Sequence, residues 1–278
     1  MKQGTRAACL LCVVAMLLAP LAHAQSVEAA ATAHRLMIRS GLPVQLRGFT
    51  LQIEREIRQN AVKLDDKMVA ALVGAAREAF RPEALQQDMT VRAAKKLTLS
   101  DMRSALAWLE SESGQRLTRA EEQASVAVDE QQLREYAERL KAKPLGAKRQ
   151  KLISDLISAS SAVRAYMATQ EAIALGVAIG MDSLQPRERR IGEAKLRARL
   201  REAMPAEKLQ AVLAQQLPIV FAYMYRDIAE PELSAYLGFL KSVAGKRYQD
   251  GMNAAFVEVL GRASVEMGEL AGQRQTTM

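Results

Sequence analysis

The sequence predicts an all-α protein. Aromatic residues make up only 4% of the chain, and no segment alternates apolar and polar residues long enough to indicate a strand. Apolar residues instead recur at intervals of three and four, as at Met102, Ala105 and Leu109, which places them on one face of a helix. Since 49% of the residues are hydrophobic, this periodicity predicts amphipathic helices packed around a core.

The helix boundaries are marked by proline, glycine and short polar residues. Pro82, Pro205 and Pro231 are each followed within two residues by Glu. This combination suits a first turn, because the N–H that proline lacks is unused there and the carboxylate interacts favourably with the helix dipole. Further breaks are predicted at Gly41 with Pro43, Asp65, Thr98 to Ser100, Ser111 to Gly114, Pro144 with Gly146, and Pro186. They divide the chain into about ten to thirteen helices of ordinary length.

Residues 1–24 have the pattern of a cleaved export signal. Lys2 and Arg6 precede an apolar run, and a small-x-small tripeptide ends at Ala24, as a signal peptidase requires. The apolar run is too short to span a bilayer. We therefore expect a periplasmic or secreted protein that is cleaved near Ala24.

Cleavage would leave few groups for covalent or metal chemistry. Cys9 and Cys12 would be removed with the signal, and the net charge would fall from +8 to +6 through the loss of two basic residues. Disulfides and thiolate sites are then excluded, and His34 would have no second imidazole to help it hold a metal. The H-E-x-x-H, G-x-S-x-G and phosphate-loop motifs are absent. We predict no catalytic residue, no metal site and no cofactor.

Carboxylate pairs are the other candidates for chemistry. They occur at Asp65-Asp66, at Glu110 with Glu112, and at Glu121-Glu122. Helix residues that are one or two positions apart do not share a face. We therefore assign these pairs to solvated helix surfaces.

An internal repeat organises the chain. Residues 97–125 align without gaps onto residues 228–256, at a spacing of 131. Upstream, residues 77–85 align onto residues 201–209 at a spacing of 124, so the second copy holds seven extra residues. The matched motif residues are Asp101 with Glu232, Trp108 with Phe239, Ser111 with Ser242, Gly114 with Gly245, and Arg116 with Arg247. We predict two tandem, related helical-bundle units of about five to seven helices each, over residues 25–144 and 145–278. The alternative is that alanine-rich helices resemble one another by composition.

The motif of the second copy resembles a family signature. It runs from Glu230-Pro231-Glu232-Leu233 through Phe239-Leu240 and Ser242 to Gly245-Lys246-Arg247. This pattern is similar to that of an exported, all-helical bacterial family classed only as a domain of unknown function, number twenty-fifty-nine. The resemblance covers about residues 199–260, with a fainter match at residues 97–125. It implies an all-helical fold and an envelope location, and it brings no catalytic residues.

Structural roles are expected for the motif residues. Asp101 and Glu232 would lie in first helical turns, where a carboxylate caps free N–H groups. Gly114 and Gly245 would either take a left-handed turn conformation or allow two helices to approach closely. Trp108 and its counterpart in the second copy lie in apolar stripes, so buried core positions are expected.

Two other segments have distinctive patterns. Gly176 and Gly180 lie four apart on an apolar stretch, which predicts a buried helix with a close-packing face. Basic residues concentrate at residues 141–151 and 187–201. These runs are either solvated surfaces or a face that attracts anionic lipid, while export disfavours nucleic acid as a partner.

The aromatic residues suggest a binding surface in the second copy. Phe221, Tyr223 and Tyr225 cannot all face one side of a helix, because steps of two rotate by about 200°. Pro218 precedes them, and it should kink or split its helix and leave one carbonyl without a donor. We predict a site near Tyr223, Tyr225 and Pro218, the alternative being that these rings fill a larger core.

The leading functional hypothesis is a non-enzymatic envelope protein that binds a partner protein, a peptide or an apolar ligand. An apolar groove at the join of the repeats would favour it. One alternative is a peripheral membrane-surface protein with a basic face and exposed apolar residues. Another is a hydrolase that uses carboxylates from distant segments, which would require facing buried carboxylates with raised pKa.

Overall fold

The computed structural model describes residues 27–60, 65–127 and 130–276, and these residues form α-helices joined by short turns, with no strand. The predicted export signal and its cleavage point lie outside the described residues. The helices are α1 (27–39), α2 (Leu42–Asn60), α3 (Asp66–Ala79), α4 (Pro82–Lys96), α5 (Leu99–Leu109), α6 (Glu112–Ala127), α7 (Glu130–Ala142), α8 (Ala147–Ala159), α9 (Ala162–Ser183), α10 (Glu193–Ala203), α11 (Ala206–Met224), α12 (Glu230–Lys241) and α13 (Val243–Thr276), with a 3₁₀ turn at Arg187–Arg189. The all-α prediction is confirmed.

Local capping explains where several helices begin. Asp65 accepts a hydrogen bond from the Met68 N–H at 2.7 Å and so caps α3. Pro82 and Pro231 occupy the first turns of α4 and α12, and Pro205 immediately precedes α11. The N–H groups of a first helical turn have no partner within the helix. The Asp65 side chain accepts a hydrogen bond from one of them, and each proline lacks the N–H group altogether.

Two hydrophobic cores hold the helices together. The first joins α1 to α5 with α13, and its fully buried side chains include Phe80, Met102 and Leu260. The second joins α6, α8, α12 and the turn after α11, around Leu156 and Leu233. Helix α13 thus packs in the core of the N-terminal helices, and α6 packs in the core of the C-terminal helices. Each core contains side chains from both sides of the predicted boundary after residue 144, and that boundary stays a prediction.

Helices α9 and α13 pack with their backbones in close contact. Gly176 and Gly180 are buried, and a Cβ atom on Gly180 would lie 2.1 Å from the Val265 carbonyl oxygen. On the facing helix, a Cβ atom on Gly268 would lie 2.3 Å from the Val177 carbonyl oxygen. The close-packing face predicted for this segment is therefore present. No helix in the described part of the chain is long and apolar enough to cross a membrane.

The seven extra residues in the second of the two aligned regions are divided between a helix and a turn. Helix α4 has 15 residues whereas α11 has 19, and the remaining difference lies in the longer connection that follows α11. Pro218 lies inside α11, which continues through it as one helix. Of the two outcomes expected at Pro218, a kink or a split, the structure excludes the split, because α11 continues through the proline although Pro218 donates no backbone hydrogen bond.

Candidate functional site

Two helix corners with the same local geometry frame the candidate site. At the α5–α6 corner, the Ser111 hydroxyl donates to the Trp108 carbonyl at 2.6 Å and accepts from the Gly114 N–H at 3.0 Å. At the α12–α13 corner, the Ser242 hydroxyl donates to the Phe239 carbonyl at 2.7 Å and accepts from the Gly245 N–H at 3.0 Å. Each serine hydroxyl therefore links the end of one helix to the start of the next by two hydrogen bonds.

The two motif glycines are required by close approach rather than by a left-handed turn. A Cβ atom on Gly114 would lie 2.1 Å from the Trp108 carbonyl oxygen, and one on Gly245 would lie 1.9 Å from the Phe239 carbonyl oxygen. Neither glycine has a positive φ angle. Of the two roles expected for these glycines, a left-handed turn and a close approach, the structure shows the close approach.

The charged motif residues pair between the corners. Arg116 of the first corner contacts Glu232 of α12 at 3.3 Å, and Arg247 of the second corner contacts Asp101 of α5 at 3.4 Å. Asp101 also closes a capping box with Thr98. The Thr98 hydrogen bonds, with a smaller contribution from Arg247, hold the pKa of Asp101 below its usual value. The pairing is reciprocal, because the arginine at each corner contacts the acidic residue on the first helix of the other corner.

Aromatic rings stack where the corners meet. The Trp108 ring lies 5.3 Å from the Phe239 ring at an interplanar angle of 10°, and 5.8 Å from the Tyr236 ring at 4°. Trp108 and Phe239 are partly buried, and both rings pack against the two hydrophobic cores. Their remaining exposure arises because both rings line a cleft.

The cleft lies between helices of the two predicted units and has a volume of about 810 Å³. Helices α2, α5 and α6 contribute to one side, and α9, α11, α12 and α13 contribute to the other. Its aromatic lining includes Trp108, Tyr225, Tyr236, Phe239, Tyr248 and Phe256. This volume and lining are typical of a small-molecule binding site.

Glu121 is the charged group inside this cleft. Its Oε1 atom accepts a hydrogen bond from the Tyr225 hydroxyl at 2.7 Å, and the neighbouring Tyr236 phenol, like that of Tyr225, acts to lower the pKa of the carboxyl group. Burial of the carboxylate raises the pKa of Glu121, with a smaller contribution from the negative charge of Glu122. The assignment of Glu121 to a solvated surface is therefore wrong, because α6 turns this residue inward.

The tyrosines around Glu121 are held in their neutral, hydrogen-donating form. Burial, together with the nearby Glu121 carboxylate, raises the pKa of Tyr225, Tyr236 and Tyr248. The Arg149 guanidinium positions Tyr225 by donating to its backbone carbonyl at 2.6 Å and to the Ile228 carbonyl at 3.0 Å. These bonds satisfy carbonyls that the end of α11 leaves free.

The structure separates the three residues predicted to form a binding site. Tyr225 is only 2% exposed and belongs to the second core, although its ring also lines the cleft. Tyr223 lines the cleft and packs edge-on against Tyr136 of α7, at 5.2 Å between ring centroids. Pro218 instead lines a neighbouring groove of about 850 Å³ between α8, α9 and α11. Two of the three residues thus share the cleft.

The sequence around Glu121 contains a pattern that indicates an inward-facing side chain. Glu121 lies four residues after Leu117 and three before Ala124, so it falls on an apolar helix face. At the repeat spacing of 131 it aligns with Met252, which also lines the cleft. A glutamate at an apolar position of a repeat is a signal for a buried charge.

Metal chemistry receives no support from the described residues, which contain no group of three or more His, Cys, Asp or Glu that could hold an ion. His34 is exposed on α1. Comparison with known protein families, curated proteins and solved structures found no match to this chain. The resemblance to the exported helical family therefore stays a prediction.

Proposed function

We propose that this protein is a non-enzymatic binding protein of the bacterial envelope, and that the cleft holds an apolar ligand. The observation that carries the proposal is the position of the cleft, which opens between helices of both predicted units and is lined by aromatic rings. An apolar surface of this kind gains free energy when a ligand removes it from water, at about 25 cal/mol per Å². A preformed, concave site avoids much of the ordering cost of binding.

A duplicated unit underlies the proposed site. Helices α5 and α12, like α6 and α13, begin at residues separated by the repeat spacing of 131. The serine–glycine corners match, and the ion pairs Arg116–Glu232 and Arg247–Asp101 exchange partners reciprocally. Such mutual pairing is expected when two copies meet across a two-fold axis. We infer that the two units descend from one ancestor and that the cleft lies at their interface.

The same proposal includes the compartment. The export pattern that ends at Ala24 and the family resemblance both favour the periplasm. Detection of the mature N-terminus in a periplasmic fraction would support this location, whereas an uncleaved chain in the cytoplasm would contradict it.

Fluorescence can test the ligand site directly, because Trp108 is the only tryptophan of the chain and lines the cleft. Titration with the neutral dye N-phenyl-1-naphthylamine should give saturable energy transfer from Trp108. Ala165 also lines the cleft, and the substitution Ala165→Leu should weaken the dye by about tenfold, equivalent to about 1.4 kcal/mol.

The matched control is Ala107→Leu, which adds the same atoms at an exposed position outside the cleft. This variant should bind the dye as the unmodified protein does. Absence of saturable transfer, or equal weakening by both substitutions, would contradict the proposed site.

A membrane-surface role is the second candidate, and one observation favours it. Met181 and Leu184 are exposed at the end of α9, next to the exposed Arg187 and Arg189. Exposed apolar side chains beside cations suit an anionic lipid surface. Cosedimentation with vesicles that contain phosphatidylglycerol should then fall when both arginines are replaced by Glu. Equal sedimentation with neutral vesicles would contradict this role.

The hydrolase alternative receives less support from the geometry. The described hydrogen-bond partner of Glu121 is the phenol of Tyr225 rather than a second carboxylate. A phenol donor stabilises the ionised form of a carboxyl group. Such an arrangement favours binding over the two-carboxylate chemistry that a hydrolase of this kind would use.

A further inference from the structure

The cleft combines an apolar wall with the carboxyl group of Glu121. Glu121 lies on α6 among the aromatic rings, and its carboxylate accepts a hydrogen bond from the Tyr225 hydroxyl at 2.7 Å. The other charged residues that line the cleft, Arg55 and Glu56, are exposed on α2 and carry opposite charges. The buried part of the site is therefore acidic.

No cation of the described residues compensates this charge. The neighbouring charge that acts on Glu121 is Glu122, which is also negative. Phenol hydrogen bonds stabilise a carboxylate but do not neutralise it, so ionised Glu121 keeps a desolvation penalty. A ligand that brings a positive charge would remove this penalty, whereas an anionic ligand would add repulsion.

The hydrogen-bonding capacity and the walls also suit a cation. An ionised carboxylate has about four acceptor positions, and the Tyr225 phenol uses one of them, so others remain for the N–H groups of a ligand. The faces of aromatic rings carry negative electrostatic potential and attract ammonium groups, and the lining offers rings outside the Trp108 stack, such as Tyr248 and Phe256. An apolar body would occupy the rest of the 810 Å³ volume.

We propose that the cleft selects hydrophobic cations, namely primary ammonium compounds with an extended apolar body, and that Glu121 is the counter-ion for the ammonium group. This inference rests on the proposed function of the cleft. It adds the charge of the ligand and names the specificity-determining residue.

Three ligands with the same alkyl chain separate charge from apolar contact. Dodecylammonium, dodecanol and dodecanoate are titrated into the full-length mature protein below their micelle concentrations, and heat and Trp108 fluorescence are recorded. Dodecylammonium should bind at least about tenfold more tightly than dodecanol, and dodecanoate should bind most weakly. In Glu121→Gln the ratio between dodecylammonium and dodecanol should fall to about one.

Glu112→Gln is the matched control, because Glu112 lies on the exposed first turn of the same helix and outside the cleft. This variant should keep the preference for dodecylammonium. Thermal unfolding of each variant establishes that it is folded, and Tyr225→Phe provides a second way to perturb the same carboxylate.

The outcomes separate the inference from the function on which it rests. If dodecanol binds as tightly as dodecylammonium, or if the preference persists in Glu121→Gln, the inference is overturned while the apolar site stands. If none of the three ligands binds, the proposed function fails as well.

Discussion

The hydrogen bond between Tyr225 and Glu121 gives the sharpest stability prediction. Tyr225→Phe removes a hydroxyl that donates to the buried carboxylate at 2.7 Å and retains the buried ring. A hydrogen bond to a charged group contributes about 1.5–3 kcal/mol, against about 0.5–1.5 kcal/mol for a neutral pair. We therefore expect Tyr225→Phe to lower the free energy of unfolding by about 2 kcal/mol when Glu121 is ionised, and by about 1 kcal/mol in a Glu121→Gln background.

The pH dependence gives an internal control for this prediction. Burial raises the pKa of Glu121 in the folded protein, so the unfolded protein releases this proton at lower pH. The contribution of protonated Glu121 to the free energy of unfolding is therefore complete below its pKa in the unfolded protein. It is lost as the pH rises through its pKa in the folded protein. Glu121→Gln should remove this loss, and Tyr225→Phe should extend it to higher pH, because the Tyr225 hydrogen bond lowers the pKa of Glu121 in the folded protein.

Urea unfolding followed by circular dichroism, at pH 4 and at pH 8, measures these differences. The loss caused by Tyr225→Phe should be larger at pH 8 than at pH 4. An equal loss at both values, and in both backgrounds, would show that the phenol does not stabilise an ionised Glu121.

Three further predictions concern the helix corners and the aromatic cluster. Gly114→Ala and Gly245→Ala should each lower the free energy of unfolding in urea titrations by about 1–3 kcal/mol, because the new Cβ atom would overlap a backbone carbonyl. A Cβ atom on Gly238 would meet nothing within 4 Å, so the control Gly238→Ala should be neutral or stabilising. Equal effects at the three sites would contradict the close approach. The pKa of Asp101 is lowered in the folded protein, so its stabilising contribution is present above the unfolded pKa and is lost as the pH falls through the folded pKa. Asp101→Asn should therefore lower the free energy of unfolding at pH 7 and much less at pH 2. The same loss at both pH values would contradict a stabilising role for the ionised carboxylate. Tyr223→Ala should cost about 1 kcal/mol, because its ring is only partly buried, and it should weaken cleft ligands in the dye titration; a loss of several kcal/mol with unchanged binding would make Tyr223 a core residue only.

Local patterns in the sequence were sufficient to predict the helices. The spacing of apolar residues predicts helices throughout the described chain, and the prolines at 82, 205 and 231 mark helix starts within a residue or two. These features depend on interactions within a single turn or two, which the sequence contains directly. The close-packing face of α9 was also predictable from Gly176 and Gly180, whereas its partner α13 was not.

The candidate site was only partly predictable because it depends on contacts between distant segments. Tyr225 and Glu121 are 104 residues apart, and nothing in the sequence pairs them. The turn of α6 toward the second core changes Glu121 from an expected surface residue into a partly buried one. In the same way, the continuation of α11 through Pro218 depends on tertiary packing, which overrides the local preference to break the helix.

The most direct test of the binding site is the location of a bound apolar ligand. A crystal structure of the mature protein with 12-bromododecanol would locate the bromine by anomalous scattering and the alkyl chain by its density. We predict an alkyl chain in the cleft between α6 and α13, in contact with Met252 and Phe256, with its hydroxyl directed toward Glu121. An alkyl chain in the groove beside Pro218, with the cleft empty, would contradict the central claim.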